Sequence, residues 1–112
     1  MLNYSSSLDR IFYALSDPTR RGMIEQLSKK KASVSELASP LNMSMAAVVQ
    51  HIQILEESGL IKTQKVGRVR SCQVEPRSFK AMESWLSQRR KFWERNLDRL
   101  DEYLDRLEKE RK

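Results

Sequence analysis

At 112 residues, with 39% hydrophobic and 32% charged side chains, the chain has material for one domain with a modest core. Its net charge of +6 is unevenly placed: residues 1–91 hold 15 Lys and Arg against 8 Asp and Glu, and residues 92–112 hold 6 against 7. A basic globular part with a nearly neutral tail favours a polyanionic partner; no apolar run approaches membrane-spanning length, and a lone cysteine, Cys72, excludes an internal disulfide and fits a reducing cytoplasm.

The first residues, Met1 to Ser7, show neither a basic n-region nor an apolar h-region, so no secretory leader is expected. With three glycines and three prolines there is no low-complexity linker, and no internal repeat is visible. Leu8, Ile11, Phe12 and Leu15 have the spacing of one helical face. Asp17 then suits an N-cap and Pro18 the first position of a second helix. That helix is expected to bury Met23, Ile24 and Leu27 and to run out at Ser28-Lys29-Lys30-Lys31, a solvated loop.

Ser33 and Glu36 have the spacing of a capping box at the start of a short helix, which Pro40 limits. Ser44 caps the next helix, whose inward stripe is Val48, Ile52 and Leu55 with Met45 on its edge. At about 100° per residue, Ala46, Gln50, Gln53 and Glu57 point the opposite way, and Val49 lies on the border. Gly59 suits the left-handed position just past the helix end. Two short helices joined tightly in this way place the second for the major groove of DNA.

Residues 60–66 and 69–74 are strand candidates forming a hairpin around Val66-Gly67-Arg68-Val69. The hairpin holds Lys62, Lys65, Arg68 and Arg70 and no acid before Glu75, the composition of an element that touches phosphate. From Arg77 the pattern turns helical. Phe79, Met82, Leu86, Trp93, Leu97, Leu100, Leu104 and Leu107 recur three or four apart, with one step missing at Arg89 and Arg90. From Trp93 the spacing is a heptad seam. A helix over Arg77–Glu108 would be roughly 48 Å long at 1.5 Å per residue, longer than the globule needs, so its distal half is expected to pair with a second copy.

The sequence thus predicts a mostly α fold with a small β-hairpin wing: residues 1–76 form a winged helix-turn-helix head and residues 77–112 a long C-terminal dimerisation helix, within a single compact domain. The stretch from about Leu8 to Leu107 resembles the ArsR-type (ArsR/SmtB-like) winged helix-turn-helix transcriptional repressors. The resemblance rests on Ala14-Leu15-Ser16-Asp17-Pro18-Thr19-Arg20-Arg21, Ser33-Val34-Ser35-Glu36-Leu37-Ala38, Val48-Val49-Gln50-His51-Ile52 and Leu55-Glu56-Glu57-Ser58-Gly59-Leu60-Ile61. The tail, with Trp85-Leu86 and Phe92-Trp93-Glu94, looks like the subgroup with a long C-terminal helix. The resemblance implies a homodimer, two winged heads on a palindromic double-stranded operator, and repression by occluding a promoter. It carries the base-reading positions onto Met45, Ala46, Val49 and Gln50 and the phosphate-facing cap onto Ser44, with Gln53 on the same outward face and Lys65, Arg68 and Arg70 in the wing. Gln50 can pair with adenine and the apolar three can touch thymine methyls, so an A/T-leaning half-site is expected.

Many members of that family sense metals through cysteine pairs in the short helix. Here that run reads Glu36-Leu37-Ala38-Ser39-Pro40-Leu41, without a sulfur ligand, and the terminal helix contains no histidine. One cysteine and one histidine cannot build a soft tetrahedral site within a subunit, so no metal or cofactor is expected. His51 is read as a satisfied structural histidine and Cys72 as a small buried filler. No phosphate loop, nucleophile elbow or His-Glu-x-x-His pattern is present, and the tail carboxylates alternate with Arg95, Arg99, Arg106 and Lys109 as a solvated face. An enzyme is not expected. The readings kept beside the repressor are a regulator gated by a small molecule or by thiol modification, and a winged protein-interaction adaptor.

Overall fold

The structure is a computed structural model that describes residues 6–111; the stretch read above for a leader lies, up to Ser5, outside them. Its elements are α1 (Ser7–Leu15), α2 (Pro18–Lys29), β1 (Ala32–Ser33), α3 (Val34–Ala38), α4 (Met45–Glu57), β2 (Ile61–Val66), β3 (Val69–Val74) and α5 (Pro76–Arg111). The chain divides into two compact units after Lys80.

Each of the helices α1 to α4 is started by a local side chain. Ser6 Oγ accepts from the Asp9 amide, an Asp17 carboxylate oxygen from the Arg20 amide and Ser44 Oγ from the Ala47 amide, each at 3.1–3.2 Å. At α3 the capping box closes in both directions: Ser33 Oγ accepts from the Glu36 amide at 3.1 Å, and the Ser33 amide donates to Glu36 Oε1 at 3.0 Å. The Asp17 and Glu36 charges are stabilised by these bonds. Burial opposes ionisation of Asp17, yet the amide bond and the nearby Arg20 outweigh it and hold the carboxyl below its usual value. For Glu36 the Ser33 backbone bond is the main cause of the same shift.

The core lies between α1, α2, α4 and the sheet, with Ala14, Leu37, Val48, Leu55, Leu60 and Cys72 almost wholly removed from water. The α4 stripe is the expected one: Val48, Ile52 and Leu55 are buried. The α1 stripe is not. Ile11 and Ala14 are buried, Leu8 and Leu15 are half-buried, and Phe12 is exposed, because 11 and 14 lie nearer the middle of the inward arc than 12 does.

The hairpin forms over the expected residues, and β1 adds a third strand that the sequence did not reveal. All pairs are antiparallel in the order β1-β3-β2, with Ala32 opposite Cys72 and Ser33 opposite Ser71. Two residues are too few to display a period of two, so β1 has no sequence signature. Gly59, at φ +82°, ends α4; Ser78 Oγ donates to its carbonyl at 2.6 Å, and a Cβ there would sit 3.0 Å from that oxygen. Only glycine takes both the left-handed backbone and the close approach without strain.

α5 runs one residue earlier and three residues later than expected and, on its own surface, buries no residue. In the second unit Phe92 and Trp93 meet edge to face at 6.2 Å, and the Arg89 guanidinium lies 5.2 Å from the centre of the Trp85 ring. Trp93, Leu97, Leu100, Leu104 and Leu107 are 40–60% exposed along it, Leu86 is 47% exposed, and Phe79 and Met82 are half-buried. Among the described residues no helix is long and apolar enough to cross a membrane.

Candidate nucleic-acid interface

The inward stripe of α4 fixes what its other side presents. With Val48, Ile52 and Leu55 in the core, Met45, Ala46, Val49, Gln50 and Gln53 all stand exposed, and the Ser44 cap with them. Val49, placed by sequence on the border between stripes, is 39% exposed and belongs to the outward surface. Two glutamines therefore stand among three small or apolar side chains at the amino-terminal and middle turns of the helix, where base edges are read in a major groove.

The hairpin register sorts its four cations by face. Lys65 stands directly opposite Arg70, and their face is shared by the cross-strand pairs Thr63–Cys72 and Ile61–Val74, whose buried members point to the helices. Lys62 pairs with Gln73 on the other face, where it makes an ion pair with Glu75 at 3.7 Å. The sequence expectation of four uncompensated cations is therefore too high by one. Arg68 sits in the two-residue turn, which Gly67 enters at φ +63°. Like charges placed directly across a ladder repel. Lys65 and Arg70 keep that arrangement beside the outward face of α4, where an anion would relieve it.

These two surfaces meet in one concavity of about 730 Å³. Met45, Val49 and Gln53 line it from α4, and Arg68, Val69 and Arg70 from the hairpin. Of the nine residues expected to touch DNA, five line the concavity, Met45, Val49, Gln53, Arg68 and Arg70; Ser44, Ala46, Gln50 and Lys65 are not part of its lining.

One residue that holds this platform together was missed. Arg20 is buried to 6% exposure; its Nε donates to the Ala14 carbonyl at 2.7 Å and Nη2 to the Tyr13 carbonyl at 3.2 Å. Its Nη1 lies 3.1 Å from His51 Nδ1, and because a guanidinium can only donate, that ring nitrogen accepts and the proton resides on Nε2. The guanidinium also stands 5.3 Å from the centre of the Tyr13 ring. Arg20 thus joins the end of α1 to the middle of α4, and His51 is satisfied structurally as the sequence suggested. The signal was present: Arg20, Met23, Ile24 and Leu27 share one helical spacing, so the arginine stands in an apolar stripe.

Cys72 is fully buried, and burial, followed by the Glu56 charge, pushes its thiol up, away from the reactive thiolate. Among the described residues no three His, Cys, Asp or Glu side chains come together to hold a metal ion. At the short helix Ala38 and Pro40 offer no side-chain donor to a metal ion.

The model of a helix-turn-helix domain matches residues 15–64. The HTH-type transcriptional regulator Rv2034 of Mycobacterium tuberculosis is 34% identical over 99 residues, covering 88% of this chain and 90% of that protein. The transcriptional repressor SmtB homolog of a Synechocystis strain is 31% identical over 67 residues, 60% of this chain and 51% of its own length. The crystal structure of the ArsR family transcriptional regulator RHA00566 superposes with a TM-score of 0.76 at 47% identity, over 84% of this chain and 97% of that one. These relatives are regulators of transcription, not enzymes. With its winged helix-turn-helix, its exposed α4 face and its cationic hairpin, the chain belongs to the ArsR family of DNA-binding transcriptional regulators.

Proposed function

We propose that the chain is a homodimeric repressor that occludes a promoter by binding a palindromic operator, in the cytoplasm and without a metal. Residues 1–76 act as the reading head: α4 enters the major groove, with Gln50 and Gln53 on base edges and Met45, Ala46 and Val49 against thymine methyls. Ser44 faces a phosphate at the helix start, and Lys65, Arg68 and Arg70 hold the flanking backbone. Residues 77–112 join two copies through Phe79, Met82, Leu86, Trp93, Leu97, Leu100, Leu104 and Leu107.

The observation that carries this reading is the same-sign pair Lys65–Arg70 beside the bare outward face of α4. A protein-docking surface has no use for opposed cations, whereas a phosphate backbone neutralises both. Support for the dimer is the row of half-exposed large apolar side chains on α5, which a lone helix in water would not keep. Support for metal independence is the donor chemistry described above, and support for repression is the name of the Synechocystis relative.

The test is enrichment of duplexes from a random-sequence pool by the full chain, followed by footprinting. An inverted repeat with half-sites about 10–10.5 base pairs apart, or a multiple of that, is expected. Binding should be unchanged by chelator or added zinc. Absence of duplex binding at low salt would favour the adaptor reading instead, and zinc-dependent loss of binding reversed by chelator would overturn metal independence.

A further inference from the structure

On the hairpin face turned toward α4, Arg70, one of the cations assigned above to the phosphate backbone, is joined to two polar side chains that base reading and phosphate binding leave unused. Glu56 lies in the last turn of α4, Thr63 on β2 and Arg70 on β3. Thr63 is opposite Cys72 and Lys65 opposite Arg70, so Thr63 and Arg70 are diagonal neighbours on one face. Arg70 Nη1 donates to Thr63 Oγ1 at 2.8 Å, and that hydroxyl donates onward to Glu56 Oε2. A guanidinium only donates and a carboxylate only accepts, so the hydroxyl between them has one proton direction available. All three residues line the 730 Å³ concavity. Glu56 also lies near the buried Cys72, where its charge, after burial, is the next cause that raises the thiol.

We propose that Glu56 is a specificity-determining positioning residue, acting through Thr63 to hold Arg70 at the edge of the groove that a DNA backbone must cross. The inference rests on the DNA-binding reading above. The relay uses one of the five guanidinium N–H groups and leaves the charge of Arg70 directed into the groove. The carboxylate repels phosphate where the arginine attracts it, so a backbone that meets Arg70 while clearing Glu56 is favoured. That path requires α4 to be seated in one register. Loosely seated complexes bring phosphate toward Glu56 and are penalised, which is discrimination through repulsion.

The probes are a duplex enriched from a random pool by the unaltered chain and a random-sequence duplex of equal length. Glu56→Gln and Thr63→Val, the second nearly isosteric and suited to a strand, should each lower the ratio of the two affinities by about tenfold, the size of coupling between contacting groups. In Glu56→Gln, which removes the repelling charge, most of that change should come from tighter binding to the random duplex; in Thr63→Val, which keeps the charge and releases Arg70, it should come from weaker binding to the enriched one. The double variant should lose no more than either single one, and Thr63→Ser, which keeps the hydroxyl, should retain the ratio. Losses that multiply in the double variant, an unchanged ratio, or parallel weakening on both duplexes would overturn the relay while leaving the DNA-binding reading intact. Failure of the unaltered chain to enrich any duplex would instead remove that reading, and the relay with it.

Discussion

Arg20 and Gln50 sit on neighbouring helices and have opposite tasks, and substitutions should separate them. Arg20→Met keeps the volume but removes the guanidinium donor from the Ala14 carbonyl and from His51 Nδ1, and one of the donors that meet the Tyr13 carbonyl. Unfolding in urea should then show a loss of about 3 kcal/mol, with His51→Ala costing less because it removes one acceptor. An unchanged midpoint for Arg20→Met would deny its bridging role. Gln50→Ala touches only the exposed face and should leave stability alone, while costing about 1–3 kcal/mol on an enriched duplex and little on a random one. Arg68→Ala or Lys65→Ala should weaken both duplexes alike and flatten the slope of log K against log salt by about one unit per lost contact. Equal weakening by Gln50→Ala on both duplexes, together with an unchanged salt slope in the hairpin variants, would mean that α4 is not the reading helix. At this scale polarity and spacing made the outward face of α4 legible. Arg20 was hidden because a charge reads as surface until its apolar neighbours are counted, and Lys62 because its partner, Glu75, lies just past the strand that faces it.

The elements were legible where a cap or a period announced them. Asp17-Pro18, Ser33 with Glu36, and Ser44 each start a helix at the expected place because one side chain satisfies an amide locally. β1 was not legible, since its two residues become a strand only by pairing with β3, a long-range event. The error at Phe12 has a different origin, because a short helix with apolar residues on adjacent positions permits two stripes, and tertiary packing chooses between them. The α5 seam was legible as a heptad, and its side chains stand largely exposed. Leu100→Lys places a charge in the middle of that seam, where pairing would bury it. In sedimentation it should shift the chain from dimer toward monomer, and DNA affinity should fall with it. Truncation after Lys91 should act in the same direction. A stable, DNA-binding dimer from either variant would place the interface elsewhere.

For the whole molecule, two carboxyls contribute a part of the stability that depends on acid pH. Asp17 and Glu36 are both held below their ordinary values of 3.8 and 4.5, so each contributes stability that is present above those values and is lost as pH falls through the lower, folded-state ones. Stability measured by denaturant should therefore decline on acidification below about pH 4.5. Asp17→Asn together with Glu36→Gln should flatten that decline, and an identical acid profile in the double variant would contradict the assignment. Fold class and family were legible in the order of parts, a capped pair of short helices followed at once by a basic hairpin, because each part is specified locally. The shared concavity of α4 and hairpin was not, since it depends on how the sheet packs against the helix. The central claim, two heads reading one palindrome, is tested most directly by the stoichiometry of the full chain on an enriched inverted repeat, measured by sedimentation across a salt series. Two chains per duplex, with affinity falling steeply and linearly in log salt, is the predicted result. One chain per duplex on a single half-site, or affinity indifferent to salt, would contradict it.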